Sequence, residues 1–236
     1  MPVLKYFGHA AFKISSPKMS ILIDPGIING TPLVSEDERV NVICITHAHL
    51  DHFGNAAKIA TAQKAFLVGN AETIEKLKEE GAPAWLLRPL PPGESFIRPE
   101  VKVTAIDLKH GPSKSSPSIS HTAFIVEIGR VKFVHLGDAA TRGLLDQWSI
   151  DVLLIGIDET ETFNPVHALQ AVSDLSPKLA IPMHVRSQEE IEYFEAHLPI
   201  MAPHVKYKRM EAGEELLIEW AAGTEFVVRP VTGVEP

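Results

Sequence analysis

The chain has one cysteine, Cys44, in 236 residues. An internal disulfide framework is therefore excluded, and this usage suits a reducing compartment. Basic residues are also in deficit: 22 Lys and Arg stand against 30 Asp and Glu, a formal net charge of -8. That balance disfavours a nucleic acid or an anionic membrane as partner, because both are met by basic surfaces. No apolar run reaches the roughly 18 residues that a membrane-spanning helix needs. The opening residues, MPVLKYFGHA, lack the basic-then-apolar plan of a secretory signal, so a cytoplasmic protein is expected. No internal repeat or low-complexity block interrupts the chain. What is present is an ordinary globular composition, long enough to bury a core, and one domain over residues 1–236 is expected.

The apolar pattern reads as two strand-rich halves. PVLKYFG, AAFKIS, SILIDPG and VNVICIT are strand-like runs parted by glycine or turn residues, with a polar loop from Asn29 to Arg39. NAAKIATAQ and NAETIEKLKEEG are expected helices around the strand AFLVG, the second helix capped by Asn70 and stopped at Gly81. A proline-rich passage follows. Its apolar residues Trp85, Leu86, Leu87 and Phe96 mark it as a crossing between the halves. The second half carries VKVTAIDL, then HTAFIVEI and VKFVHLGD as a hairpin through Gly129–Arg130, then DVLLIGI and KLAIPMH. Asn164 with Pro165 starts one helix, a Ser187/Glu190 capping box starts another, and three short strands close the chain. Such halves predict two sheets packed face to face with helices outside.

Histidine is the unusual component, with 11 in the chain. The stretch THAHLDH follows a buried strand and precedes a helix. In extended backbone, side chains at i and i+2 share a side, so His47 and His49 can converge on one metal ion. Asp51 and His52 sit where the chain turns into the helix and can reach a second ion. Imidazole and carboxylate suit zinc-type ions, and each ion needs three or four ligands. His110, Asp138 and His184 stand at the ends of later strands, where they can complete the set.

The set THAHLDH, His110, LGD at Asp138 and IPMH at His184 resembles the metallo-β-lactamase fold superfamily, whose signature is H-x-H-x-D-H. SILIDPG is similar to its first motif. Within it, YFGHAAFKI with ILIDPG, and IPMHV, resemble small metal-dependent hydrolases related to ascorbate-6-phosphate lactonase. The resemblance runs from about Tyr6 to about His184. It implies an α/β, four-layered αββα sandwich with two mixed sheets and two divalent ions, zinc or manganese. By this resemblance His47, His49 and His110 bind one ion, Asp51, His52 and His184 the other, Asp138 bridges, and Asp24 buttresses the site. The activity implied is cleavage of a small ester, lactone or phosphoester by a metal-bridging water, with Asp51 able to take its proton. The alternatives are a nuclease or phosphodiesterase of the same superfamily, and a non-hydrolytic metal-binding or redox protein on this fold. A small-molecule substrate is expected, and a homo-oligomer is left open. The stretch GIDETETFNPVH stands where such relatives carry a glycine pair and T-M.

His9 and His121 are expected to line the substrate pocket and act on substrate, not metal; His121 in place of His110 as third histidine stays open. His135 reads as a satisfied sheet residue, and His167, His197 and His204 as structural or surface residues. Cys44 reads as inert core. DETET, with Asp158, Glu159 and Glu161, reads as a solvated acidic loop in preference to an extra cation site, and GPSKSSPSIS as a flap beside His110.

Overall fold

A computed structural model describes residues 1–112, 119–221 and 224–231; most of the expected flap lies outside them. The first half runs β1 (Val3–Gly8), β2 (Ala11–Ser15), β3 (Ser20–Ile23), β4 (Ile27–Ile28), β5 (Thr31–Pro32), β6 (Val42–Ile45), α1 (Leu50–Phe53), α2 (Ala56–Gln63), β7 (Phe66–Gly69), α3 (Ala71–Glu79) and β8 (Leu87–Pro89). The second runs β9 (Ser95–Arg98), β10 (Val101–Asp107), β11 (Thr122–Ile128), β12 (Val131–His135), β13 (Val152–Gly156), α4 (Pro165–Leu175), β14 (Leu179–Met183), α5 (Gln188–Met201) and β15 (Lys206–Tyr207). Two last strands, β16 (Glu215–Ala221) and β17 (Glu225–Pro230), return to the first sheet. Its order is β17-β16-β1-β2-β3-β6-β7-β8, and that of the second sheet is β15-β14-β13-β12-β11-β10-β9.

Strand alternation explains the layering. Ile21 and Ile23 of β3, Val42 and Cys44 of β6, Phe124 and Val126 of β11, and Val152 and Leu154 of β13 share the core between the sheets. The intervening residues face outward. Leu22, Ile43 and Ile45 pack under α2 and α3, through Ile59, Ala60, Ile74 and Leu77. Ile125, Val134, Leu153 and Ile155 pack under α4 and α5, through Leu169, Val172, Phe194 and Leu198. Strands buried on both faces read as continuous apolar runs, as VNVICIT and DVLLIGI do. The αββα sandwich is the result.

Local signals act as read. Asn70 accepts the Thr73 N–H at 2.9 Å and Asn164 the His167 N–H at 2.9 Å, and the Ser187/Glu190 capping box is complete. β11 and β12 form the expected hairpin. The proline-rich passage does cross between halves: β8 closes one edge of the first sheet and β9 opens the second. The loop expected from Asn29 to Arg39 differs in one respect, because Thr31–Pro32 pairs back on Ile27–Ile28. Among the described residues no helix is long and apolar enough to cross a membrane.

Candidate metal centre

Parallel pairing puts the carboxyl ends of β3, β6, β12, β13 and β14 along one edge of the sandwich. The polar residues that follow those strands collect there: Asp24, the His47–His52 stretch, Asp138, Asp158 with Glu161, and His184. His110 arrives after β10, and an isolated bridge pairs it with Ala139. The local backbone is unusual. His9, Asp24 and His184 all have left-handed φ, at 53°, 48° and 51°, a conformation that costs about 1–3 kcal/mol and gathers at functional sites. His9 and His184 are tied together, since the His184 N–H donates to the His9 carbonyl at 3.0 Å. Gly26, in the DPG turn, lets the turn lie on Asp51: a Cβ there would stand 1.7 Å from the Asp51 carbonyl oxygen.

Donor atoms gather in two adjoining groups, each within 4.8 Å: His47, His49, His110 and Asp138, and His9, Asp51, His52 and His184. In the first, His47 Nε2 lies 2.9 Å from His49 Nδ1 and 3.3 Å from His110 Nε2. Asp138 Oδ2 stands 3.7 Å from His47 Nε2 and 3.6 Å from His110 Nε2. In the second, His52 Nε2 is 3.9 Å from Asp51 Oδ2, and His184 Nε2 is 3.8 Å from it. Asp138 reaches both groups, 3.1 Å from His52 Nε2 and 3.5 Å from His184 Nε2. Donors around a zinc-sized ion at about 2.1 Å stand roughly 3.0–3.5 Å apart, so both groups can close on an ion with small shifts.

The outer ring nitrogens decide where the lone pairs point. Thr46 Oγ1 donates to Asp24 Oδ2 at 2.7 Å, so it accepts from His47 Nδ1 at 3.0 Å. His52 Nδ1 donates to Asp24 Oδ2 at 2.8 Å, and His110 Nδ1 to the Gly111 carbonyl at 2.9 Å. His184 Nδ1 stands 3.4 Å from Asp158 Oδ2. Each of these imidazoles directs its Nδ1 proton outward, which leaves Nε2 facing inward as the ligand atom, as in metal-bound histidines. Lone pairs facing each other at 3.3 Å, as on His47 and His110, repel unless a cation stands between them. The buried atoms His52 Nε2, His184 Nε2 and both Asp138 oxygens have no hydrogen-bond partner. Uncompensated burial of such atoms is costly, and a cation removes that cost. The donor set fits divalent metal.

Burial and neighbouring imidazoles hold His47 well below its ordinary value, which keeps a neutral ligand. His52 behaves oppositely: burial lowers it, but the charges of Asp138 and Asp24 outweigh burial and hold it well above the usual histidine range. An entering ion must displace that proton.

Asp24 is fully buried and accepts the Thr46 N–H at 2.8 Å besides the Thr46 hydroxyl and His52. His9 lies against one of the donors, its Nε2–H donating to Asp51 Oδ2 at 3.1 Å. His121 is buried beneath the centre, where its Nε2 accepts the Asp138 N–H at 3.0 Å. It also lines a cavity of about 520 Å³ beside His110, with Asn70, Glu72, Lys109 and Thr122. His135 is a satisfied core residue, donating to the Ala10 carbonyl and accepting the Gly137 N–H. The solvated reading of DETET is corrected. Asp158 is buried behind His184, and Glu161 forms a third donor group with Asp138 and His184; only Glu159 is exposed. The clustered acids left a cation site open as the alternative, but a run of acids carries no sign of which strand end will bury it.

Two sheets under outer helices, with a His/Asp cluster at the strand ends that could hold metal, define a protein of the metallo-β-lactamase fold. Residues 3–184 match the family described as the Beta-lactamase superfamily domain. The chain is 33% identical over 199 residues to a UPF0173 metal-dependent hydrolase of Opitutus terrae, covering 80% of this chain and 86% of that one. It is 30% identical over 228 residues to one of Pyrobaculum islandicum, covering 91% and 99%. Igni18, a metallo hydrolase of Ignicoccus hospitalis, has the same fold, with a TM-score of 0.73, 22% identity and coverage of 91% and 97%. The chain belongs to the β-lactamase superfamily, in its UPF0173 group of metal-dependent hydrolases.

Proposed function

We propose a hydrolase with two divalent ions, His47, His49, His110 and Asp138 holding one, and Asp51, His52, His184 and Asp138 the other. The observation that carries this is the outward anchoring of the ring protons of His47, His52 and His110, which leaves their lone pairs facing one small volume. Two such ions lower the pKa of coordinated water and polarise a substrate oxygen, and zinc or manganese suits the donors.

The chain's own groups do the rest. Asp24 and Asp158 hold the tautomers of His52 and His184, and His121 fixes the backbone of Asp138. Asp51 is partly open, with a side chain 28% exposed, so one oxygen can take a proton during turnover. His9 holds that carboxylate and lies at the rim, 18% exposed, within reach of a substrate oxygen. The cavity beside His110 has the size of a small-molecule site. A small ester, lactone or phosphoester fits these features. A polyanion such as nucleic acid fits poorly, because Asp158 and Glu161 border the centre.

The test is elemental analysis of protein purified without added metal and again after reconstitution, followed by a screen of lactones, phosphodiesters and phosphomonoesters. About two ions per chain and turnover of one small substrate class are expected. Trace metal alone after reconstitution would overturn the proposal.

A further inference from the structure

The two ion positions are not equivalent, and Glu161 makes them differ. Its Oε2 lies 3.9 Å from His184 Nε2, and its carboxylate shares a 4.8 Å donor group with Asp138 and His184. The loop that brings it there is pinned on several sides. Asp158 Oδ1 accepts both the Thr160 N–H and hydroxyl, and the Thr162 N–H and hydroxyl return to the Asp158 carbonyl. From the other side Gly111 lies against the Glu161 backbone, where a Cβ would stand 2.1 Å from the Glu161 carbonyl oxygen.

The charge there needs an explanation. Asp51, Asp138, Asp158 and Glu161 converge on His184, and among the described residues no lysine or arginine forms an ion pair with any of the four. Glu161 is held against carboxylates, with only 31% of its side chain exposed. Asp138 Oδ2 and His184 Nε2, both buried and without hydrogen-bond partners, point into the same group. Among the described residues His52 pairs with Asp51 and Asp138 and not with Glu161, so the Glu161 carboxylate is stabilised by a cation within the donor group it shares with Asp138 and His184.

We propose that Glu161 is a direct ligand of the second ion, resting on the two-ion reading above. The first position then has three imidazoles and one carboxylate. The second has the imidazoles of His52 and His184 with the carboxylates of Asp51, Asp138 and Glu161. Imidazole-rich sites suit zinc, while added carboxylates and higher coordination favour a harder ion such as Mn(II). The chain therefore discriminates between its two positions, with zinc in the first and manganese in the second.

The experiment loads the full chain with one equivalent of zinc, titrates Mn(II), and reads free Mn(II) by electron paramagnetic resonance. Unmodified protein, Glu161→Gln and, as a control at an exposed neighbour, Glu159→Gln are compared, with folding verified by circular dichroism. In unmodified protein and the control, one tightly bound Mn(II) is expected. In Glu161→Gln its affinity should fall at least about 10-fold, since changes to mere outer partners already cost 10–100-fold, while the zinc stays bound. Unchanged Mn(II) affinity in Glu161→Gln, or equal loss of both metals, would overturn the assignment. Failure of the unmodified protein to take a second ion would instead sink the two-ion reading, and this inference with it.

Discussion

Asp24→Asn separates the hydrogen-bonding role of Asp24 from its shape. Asparagine tolerates the left-handed φ of 48° at this position, whereas alanine would add about 1–2 kcal/mol of backbone strain. Asp24 Oδ1 accepts the Thr46 N–H, and Oδ2 accepts the Thr46 hydroxyl and His52 Nδ1–H. An amide cannot do both. With its oxygen in the Oδ2 place, its NH₂ opposes the Thr46 N–H, leaving buried donors unpaired at about 1–3 kcal/mol. With the oxygen in the Oδ1 place, the NH₂ faces His52 Nδ1. The imidazole must then accept there and carry its proton on Nε2, where it cannot bind metal. Loss of such a supporting group costs about 10–100-fold in metal affinity, or about 1.4–2.8 kcal/mol. On the two-ion proposal the second ion should suffer most, because His52 is bonded to Asp24 directly and His47 only through Thr46. Metal retained per chain after dialysis against graded chelator reads the affinities, and thermal unfolding of metal-free protein reads the unpaired donor. Retention of both ions at unmodified affinity would refute the tautomer argument.

Other expectations are equally direct. Asp138→Asn should lose both ions and turnover. His135→Ala should keep its metal per folded molecule but lose about 2–4 kcal/mol of stability, since it strands the Ala10 carbonyl and the Gly137 N–H; equal metal loss in the two, by elemental analysis, contradicts their assigned places. His9→Ala should retain metal and lower kcat/KM by about 10²–10⁴-fold if it moves a proton, and less if it only orients Asp51; full activity would make it structural. Burial raises the Asp158 carboxyl, but hydrogen bonds from His184 and Thr160 outweigh it and hold the group at about 2. A carboxyl lowered on folding adds stability that is full above its unfolded value of about 4 and lost as pH falls through the folded one. Metal-free Asp158→Asn protein should therefore show a flatter acid-unfolding curve between about pH 4 and pH 2, and identical curves would remove the pairing. Burial pushes the Cys44 thiol above its ordinary range, so a thiol reagent should react only after denaturant unfolds the chain; rapid labelling of native protein would contradict a closed core.

What the sequence alone determined was local in origin. THAHLDH places its donors within six residues, so strand and turn geometry aim them wherever the domain folds. The caps at Asn70, Asn164 and Ser187 act on N–H groups three residues away, and the double-sided burial of VNVICIT and DVLLIGI follows from unbroken apolar runs. Only the tertiary structure decided the rest. Nothing in the alternation of β16 and β17 says that they join β1 and not the second sheet, because period two fixes a face and leaves the neighbour open. Asp158 and Glu161 look like any hydrophilic loop until β13 and β14 deliver them beside His184. His121 became a support for Asp138 because β11 and β12 pair antiparallel and lay its ring under that turn. Chain-local geometry aims a side chain, but strand order decides what it meets, and that order is set by the burial of whole sheets.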